Sequence, residues 1–333
     1  MKRILPLFLA LALLLTGCTA VSTTETTSQT VSQVDSPSSA PESASSQLES
    51  ISITDSNGSQ ITLDTSAPRV VAAYGSFAEA WLLAGGELVG VTQDALEQRD
   101  LGLPEDIAVV GTVKEPNAEE IIALEPDLVL LASDITTQAD IRDVLENAGL
   151  ACAFFQVDTF ADYAFMMEQL CAVTGREDLY EENVTQVGQQ IEEAQANAAL
   201  SSTRPNVLLI RAFSTGIKAK TDDELAGAIL KDLGAHNIAD DHPSMLEDLS
   251  LEEVIAANPD YIFVTTMGDE QKALEYLNGL IDQNPAWSQL SAVQEDRYIV
   301  LPKDLFHYKP NNRWGESYQY LGEILYPVFF DEA

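Results

Sequence analysis

The chain has 333 residues, of which 53 are acidic and 17 are basic, so its formal net charge at pH 7 is -36. So large an excess of carboxylates is repelled by phosphate backbones, which excludes nucleic acid as an expected partner. The 46% of hydrophobic residues is typical of a globular protein, and the acidity favours solubility outside the cell.

The first residues have the layout of a secretory signal. Lys2 and Arg3 precede an apolar run from residue 4 to residue 15, which as a helix spans about 18 Å and is too short for the roughly 30 Å core of a bilayer. The run ends in Leu15-Thr16-Gly17-Cys18, which resembles the bacterial lipobox. Residues 1–18 are therefore predicted to be a lipoprotein signal peptide with Cys18 as the lipidation site. A signal peptide that only happens to end near a cysteine is the alternative.

Residues 19–50 are predicted to form a disordered tether. They are rich in Ser and Thr and contain few large apolar side chains, so they cannot bury enough surface to offset the entropy of ordering. A flexible coil of this length spans roughly 30 Å, which lets a folded body reach a partner in the same membrane.

The folded body begins at a predicted β-hairpin, because Asn57-Gly58 lies between alternating apolar residues at 51–54 and 60–63. Beyond it, apolar runs of strand length alternate with helical stretches, as in parallel sheets with crossover helices. The predicted strands are Val70–Ala73, Val89–Val91, Leu128–Ala132, Ala153–Val157, Val207–Ile210, Tyr261–Val264 and Tyr298–Leu301.

A repeated segment divides this body into two lobes. Glu119–Asp127 recurs as Glu252–Asp260, and each copy predicts a helix, a Pro-Asp turn and a strand. The predicted fold class is α/β, with two similar lobes that each contain a central parallel-type sheet. The N-terminal lobe is assigned residues 51–175 and the C-terminal lobe residues 204–333. Chance similarity between two amphipathic helices is the alternative.

One long helix is predicted to join the lobes, and it is assigned residues 176–203. Residues 177–200 contain no proline and place apolar or small side chains on one helical face, namely Tyr180, Val184, Val187, Ile191, Ala194 and Ala198. A single stiff connection allows less hinge opening than several flexible strands. We therefore expect a ligand cleft between the lobes and a modest conformational change on binding.

With two α/β lobes bridged by one helix, the sequence resembles the substrate-binding proteins of ABC importers that carry ferric siderophores, haem and cobalamin. The resemblance covers the body from Ala67 to the C-terminus. It implies a monomeric ligand carrier, not an enzyme, held by a lipid anchor on the extracellular or periplasmic face of the cell membrane. It also implies capture of a metal chelate, with a ferric siderophore favoured over haem or cobalamin, and delivery to a dimeric permease that works with a cytoplasmic ATPase.

In this family one exposed Glu on each lobe docks on the permease, and Glu119 and Glu252 match those positions. If Asn117 and Ser250 are helix N-caps, the next acid along each helix folds back onto its cap in a capping box, which leaves Glu119 and Glu252 pointing outward. The alternative is an acidic residue that is simply favoured in the first turn by the helix dipole.

The ligand is expected beyond the carboxyl ends of the strands. Cations and aromatic residues are concentrated in the segments that follow the strands, which predicts a ligand with carboxylates or other anionic groups. The alternative is that these cations are solvated or paired with the abundant acids. The predicted ligand-binding residues are Tyr74, Phe77, Lys114, Arg211, Phe213, Lys218, Lys220, His307, Tyr308, Lys309, Arg313 and Trp314.

No resident metal or cofactor is predicted. His307, Tyr74 and Tyr308 are candidate ligands of an iron centre carried by the guest, although a lone histidine is more often structural. His236, His242 and His307 all lie in the second lobe, which disfavours a receptor for bare zinc or manganese.

The sequence was also searched for the motifs of enzymes. An enzyme is disfavoured because the sequence lacks Gly-x-Ser-x-Gly, His-Glu-x-x-His and a Gly-rich phosphate loop. A surface-anchored ligand sensor or adhesin without transport is the alternative function.

Cys152 and Cys171 are predicted to be buried free thiols, with a disulfide as the alternative.

Overall fold

The structure is a computed structural model, and it describes residues 50–247, 249 and 251–330. The predicted signal peptide, Cys18, the tether up to residue 49 and the predicted cap Ser250 lie outside the described residues. None of the helices in the described ranges is long and apolar enough to cross a membrane.

The first part of the described chain contains a hairpin and a five-stranded sheet. Its elements are β1 (Ile51–Thr54), β2 (Gln60–Leu63), β3 (Val70–Ala72), α1 (Gly75–Leu83), β4 (Leu88–Val91), α2 (Asp94–Glu97), β5 (Ala108–Val109), β6 (Gly111–Thr112), β7 (Glu115–Pro116), α3 (Ala118–Ala123), β8 (Leu128–Ala132), α4 (Thr136–Asp140), α5 (Arg142–Asn147), β9 (Ala151–Phe155) and α6 (Phe160–Thr174). The strand order is β5-β4-β3-β8-β9, and every pair is parallel. The predicted hairpin is confirmed, with Ile51 paired to Leu63.

A continuous helical run follows, from Glu177 to Ala199. It consists of α7 (Glu177–Tyr180), a π-helical turn (Glu181–Thr185) and α8 (Gln186–Ala199). The prediction of one long helix is therefore confirmed, apart from the π turn. In that turn the buried Asn183 donates hydrogen bonds to the carbonyls of Leu179 (3.0 Å) and Leu83 (3.2 Å). The predicted face is buried at all its positions except Tyr180, which is half-buried.

The second sheet is built from the rest of the chain. Its elements are β10 (Asn206–Phe213), β11 (Gly216–Lys220), α9 (Leu225–Asp232), β12 (His236–Asn237), α10 (Ser244–Glu247), α11 (Leu251–Ala257), β13 (Tyr261–Thr266), α12 (Glu270–Gln283), α13 (Ser291–Gln294), β14 (Tyr298–Val300), α14 (Lys303–Phe306), α15 (Trp314–Leu325) and α16 (Pro327–Phe330). The order is β11-β10-β13-β14, and β12 also pairs with β10. Only β11 runs antiparallel among the described strands of this sheet. This edge strand was not predicted from the sequence.

The two copies of the repeated segment fold alike. Asp127 accepts a hydrogen bond from the backbone N–H of Arg69 (2.7 Å), and Asp260 accepts one from that of Asn206 (2.8 Å). In return, the backbone N–H of each aspartate donates to the carbonyl of the same partner at 2.8 Å. The residue two positions before each aspartate has a positive φ, 46° in the first copy and 43° in the second. The repeat is therefore a structural one, because each copy ends its helix and begins its central strand in the same way.

One hydrophobic core continues through both lobes. It includes Leu130 of the first sheet, Ile191 of the connecting helix, Leu209 of the second sheet and Leu321 of α15. Smaller clusters lie on the opposite face of each sheet. A core shared by both lobes and their connector resists wide separation of the lobes, because opening them would expose apolar surface to water.

The two cysteines in the described ranges are unpaired and buried, as predicted. Burial raises the pKa of the Cys152 thiol to about 12 and that of Cys171 to about 11. Both thiols are therefore protonated and unreactive at neutral pH.

Candidate functional site

A cleft of about 560 Å³ lies between the lobes, at the carboxyl ends of strands from both sheets. It is lined by Tyr74, Asp94, Gln98, Val113, Lys114, Asp134, Ile135, Thr136, Thr137, Met267, His307 and Tyr308. An adjoining pocket of about 270 Å³ shares four of these residues, and Arg211, Glu224, Lys309 and Asp158 also line it. The site thus has the position that parallel α/β sheets favour for a ligand.

The first-lobe wall is built around the start of α1. The backbone N–H of Gly75 donates to Asp94 Oδ2 at 2.7 Å. A Cβ added to Gly75 would lie 2.7 Å from that oxygen, so only glycine allows the approach. Burial, with Asp94 and Asp134 nearby, raises the pKa of the Tyr74 phenol to about 12. This wall therefore presents a neutral phenol beside a buried carboxylate.

The second-lobe wall presents uncharged side chains. Burial, followed by the positive charges of Arg211 and Lys303, lowers the pKa of His307 to about 4. Its ring lies 5.3 Å from that of Tyr308, measured between centroids. Met267 adds a thioether side chain that is 39% exposed. At neutral pH this wall offers a neutral imidazole, a phenol and a sulfur to a guest.

Several predicted anion-binding cations already have carboxylate partners. Arg211 pairs with Glu224, and Lys220 Nζ lies 2.8 Å from the same carboxylate. Arg313 Nη1 lies 2.8 Å from Asp304. Lys218 is exposed on β11. The clustering of basic residues in the sequence therefore does not translate into a set of unpaired cations facing the cleft.

The structure brings together half of the twelve predicted ligand-binding residues. Those that line the cleft or its adjoining pocket are Tyr74, Lys114, Arg211, His307, Tyr308 and Lys309. Phe77 and Trp314 are instead core residues, 1% and 2% exposed, because α1 and α15 turn their apolar faces inward at these positions. Phe213, Lys218 and Lys220 line neither space, and Arg313 lines a neighbouring crevice of about 320 Å³.

Eight residues that line the main cleft were not among the predicted ligand-binding residues, and three of them, Asp94, Asp134 and Met267, have ionisable or sulfur-containing side chains. Each comes shortly after a strand, β4, β8 and β13 respectively. That position is the signal by which the sequence points to such residues, because strand ends of a parallel sheet meet at one edge. The prediction relied instead on cations and aromatic residues, because both are scarcer than acidic residues in this chain and their clustering after strands was therefore conspicuous.

Residues 308–312, which we name the interlobe latch, follow α14 and bind the first lobe. The guanidinium of Arg99 donates to the carbonyls of Tyr308 and Lys309, the latter at 3.0 Å, and pairs with Glu79. The buried Asn311 donates to Ser76 O (2.9 Å) and to Glu79 Oε2 (2.6 Å). Glu79 thus contacts both Arg99, which binds the latch carbonyls, and the side chain of Asn311.

The other latch residues reach the first lobe and the connecting helix. Lys309 Nζ donates to the carbonyl of Val157 and lies 3.3 Å from Asp158 Oδ1. Asn312 Nδ2 donates to Asn183 Oδ1 at 3.0 Å. Lys309 and Asn311 both have left-handed backbone conformations, with φ of 53° and 52°, which non-glycine residues adopt only when surrounding contacts hold them there.

The predicted docking acids occupy equivalent positions. Glu119 and Glu252 are exposed second residues of α3 and α11. Asn117 is confirmed as an N-cap, because its side chain accepts from the N–H groups of Glu119 (3.0 Å) and Glu120 (3.3 Å). The predicted capping box on this lobe is wrong, since the backbone N–H of Asn117 donates to the carbonyl of Val110 (2.8 Å) instead of to Glu120.

On the second lobe the predicted cap lies outside the described residues. Glu253 there accepts hydrogen bonds from the Ser244 hydroxyl at 3.1 and 3.2 Å. Within the described part of the chain, no group of three or more His, Cys, Asp or Glu side chains is placed to hold a metal ion.

Comparison with known proteins shows which proteins have a similar sequence and fold. The sequence model of the periplasmic binding protein family matches residues 70–305. The Fe(3+)-citrate-binding protein YfmC of Bacillus subtilis is 25% identical over 270 residues, covering 78% of this chain and 81% of that protein. The high-affinity heme uptake system protein IsdE of Staphylococcus aureus is 22% identical over 224 residues, covering 66% of this chain and 75% of that protein. The crystal structure of the TroA-like periplasmic binding protein FepB of Veillonella parvula superposes with a TM-score of 0.68 at 21% identity, covering 85% of this chain and 92% of that one.

Proposed function

This chain belongs to the periplasmic binding protein family, and on that premise we propose that it captures a metal chelate outside the cytoplasm and delivers it to an ABC importer. Membership makes it a ligand carrier and not an enzyme. The observation that carries the proposal is the interlobe cleft at the carboxyl ends of both sheets, since that is where a guest contacts both lobes at once.

The size and lining of the cleft support a chelate as the guest. Its volume of about 560 Å³ falls within the range of roughly 300–1,000 Å³ of small-molecule sites. Tyr74, Tyr308 and Met267 provide apolar and polarisable surface, and His307 is a neutral imidazole that can approach an iron centre. Two relatives are named for binding ferric citrate and for haem uptake. We propose a ferric siderophore first, with haem or cobalamin as the other candidates.

Calorimetric titration tests this assignment directly. The protein is titrated with a ferric hydroxamate, ferric citrate, hemin and cobalamin, each also measured without iron or cobalt where the free ligand exists. Saturable binding of at least one metal complex, weaker for the metal-free form, is the expected result. Absence of binding by all of them would remove the chelate assignment and favour a surface-anchored sensor or adhesin.

Delivery is proposed to depend on Glu119 and Glu252, which dock one on each permease subunit. Their support is that both are exposed and stand at the same position of the two equivalent helices. Cells that carry Glu119→Ala with Glu252→Ala should lose uptake while the purified variant binds ligand with unchanged affinity. Glu120→Ala is the matched control, because Glu120 is exposed on the same helical turn. Normal uptake by the double variant would refute docking through these carboxylates.

We further propose that the mature protein is a monomer anchored through lipid on Cys18, with residues 19–50 as its tether on the outer face of the membrane. The lipobox-like segment that ends in Cys18 supports this location. Cys18→Ala should release the protein from the membrane fraction without changing ligand affinity. Retention of the variant in that fraction would contradict the lipid anchor.

A further inference from the structure

Resting on the proposed function, we propose that the cleft selects chelates bearing a positively charged hydrogen-bond donor, and that Asp94 is the specificity-determining residue that binds this group. Selection for positive charge is the opposite of what the clustering of basic residues in the sequence predicted. The proposal depends on the contacts of Asp94 and on the partners of the surrounding cations.

Asp94 is a buried carboxylate with one unused oxygen. The side chain lines the cleft and the residue is only 7% exposed. Its Oδ2 accepts from the N–H of Gly75 at 2.7 Å, at the N-terminus of α1. Its Oδ1 has no hydrogen-bond partner in the described part of the chain, and Asp94 takes part in none of the ion pairs found there.

The surroundings of Asp94 leave its carboxylate able to accept one more hydrogen bond. The helix N-terminus and the Gly75 N–H offset part of the cost of burying the charge. A buried carboxylate oxygen without a donor is nevertheless costly, so a donor on the guest would restore what the fold does not supply. Tyr74, beside it on the same wall, is a neutral phenol and does not neutralise the charge.

Two cations that line the adjoining pocket are engaged by other groups. Arg211 is paired with Glu224, and Lys309 binds the Val157 carbonyl and Asp158. The main cleft itself is lined by two carboxylates, Asp94 and Asp134, and by one ammonium, that of Lys114.

Burial decides which of these charges a guest senses most strongly. Lys114 and Asp134 are exposed, so water and salt screen them, whereas Asp94 is buried and is screened little. The dominant fixed charge felt by a bound guest is therefore negative.

A matched pair of ligands isolates the positive group. The iron(III) complex of desferrioxamine B carries a free ammonium, and its N-acetyl derivative is the same chelate without that charge. We expect the ammonium form to bind at least about tenfold more tightly, the factor given by one charge-assisted hydrogen bond. Asp94→Asn should abolish the difference, because asparagine retains the acceptor for Gly75 but not the charge. The control Asp106→Asn, an exposed acid of the same lobe, should preserve it.

Other results decide against the inference in distinguishable ways. Equal or tighter binding of the acetylated chelate by the unaltered protein, or an undiminished preference in Asp94→Asn, would overturn it. Tight binding of ferric citrate or hemin with no binding of either hydroxamate would also overturn it, while leaving the proposed function in place. Failure of these four complexes and of cobalamin to bind would overturn both.

Discussion

Replacing Asn311 by alanine tests whether the interlobe latch holds the lobes together. The side chain is fully buried, and its Nδ2 donates to Ser76 O at 2.9 Å and to Glu79 Oε2 at 2.6 Å. Its φ of 52° lies in the left-handed region, which asparagine tolerates better than alanine. The substitution therefore removes two interlobe hydrogen bonds and strains the backbone at the same position.

The expected loss of stability follows from these contacts. A neutral hydrogen bond contributes about 1 kcal/mol and one to a carboxylate about 1.5–3 kcal/mol. The left-handed backbone adds about 1 kcal/mol for alanine. Because Glu79 is partly exposed and water can replace some of its bonding, we expect the free energy of unfolding to fall by roughly 3–5 kcal/mol. The corresponding decrease in Tm is about 5–9 °C for a folded body of this size.

Differential scanning calorimetry of the unaltered protein, Asn311→Ala and Asn312→Ala measures this loss. Asn312 is the matched control, because it makes one neutral hydrogen bond, to Asn183 of the connecting helix (3.0 Å), so its loss should cost about 1 kcal/mol. A decrease below about 1 kcal/mol for Asn311→Ala, or equal losses in both variants, would show that the latch does not stabilise the lobes in this way.

Three other measurements follow from the structure. The pKa of His307 is lowered from its ordinary 6.5 to about 4, so the unfolded chain binds a proton first and the free energy of unfolding falls as pH decreases from about 6.5 to about 4. The urea midpoint of the unaltered protein should fall more steeply with decreasing pH than that of His307→Gln, and equal slopes would contradict the shift. Gly75→Ala places a Cβ 2.7 Å from Asp94 Oδ2 and 2.9 Å from the backbone of Ala95, so thermal unfolding should show a loss of about 1–3 kcal/mol, and an unchanged Tm would argue against the close approach. Small-angle scattering of the mature protein should show little change in radius of gyration when ligand saturates it, since the core is continuous through both lobes, and a large decrease would exclude the stiff connection.

Patterns of local origin made much of the fold predictable. The alternation of apolar residues around Asn57-Gly58, the runs that became β8 and β13, and the helical face of residues 177–200 are set by the periods of strand and helix, which neighbouring residues determine. The repeat was equally visible, because the same Pro-Asp turn is needed wherever such a helix leads into a central strand. The two-residue strands β5 and β12 were not predicted, since their parallel pairing depends on distant partners. The strand β11 pairs with the adjacent β10, and it was missed because its Lys218 and Lys220 were interpreted as ligand-binding residues.

The binding site was predictable only in its location. That ligand-contacting residues follow the strands was visible in the sequence, because chain order and parallel pairing bring those strand ends together. It did not determine which of many acids would pair with Arg211 or Lys309, that Trp314 would enter the core, or that Asp94 would be buried with an unused oxygen. These outcomes depend on which side chains meet across the two lobes. Such contacts join residues far apart in the chain, so they are set when the two lobes pack together and are not encoded in any local pattern.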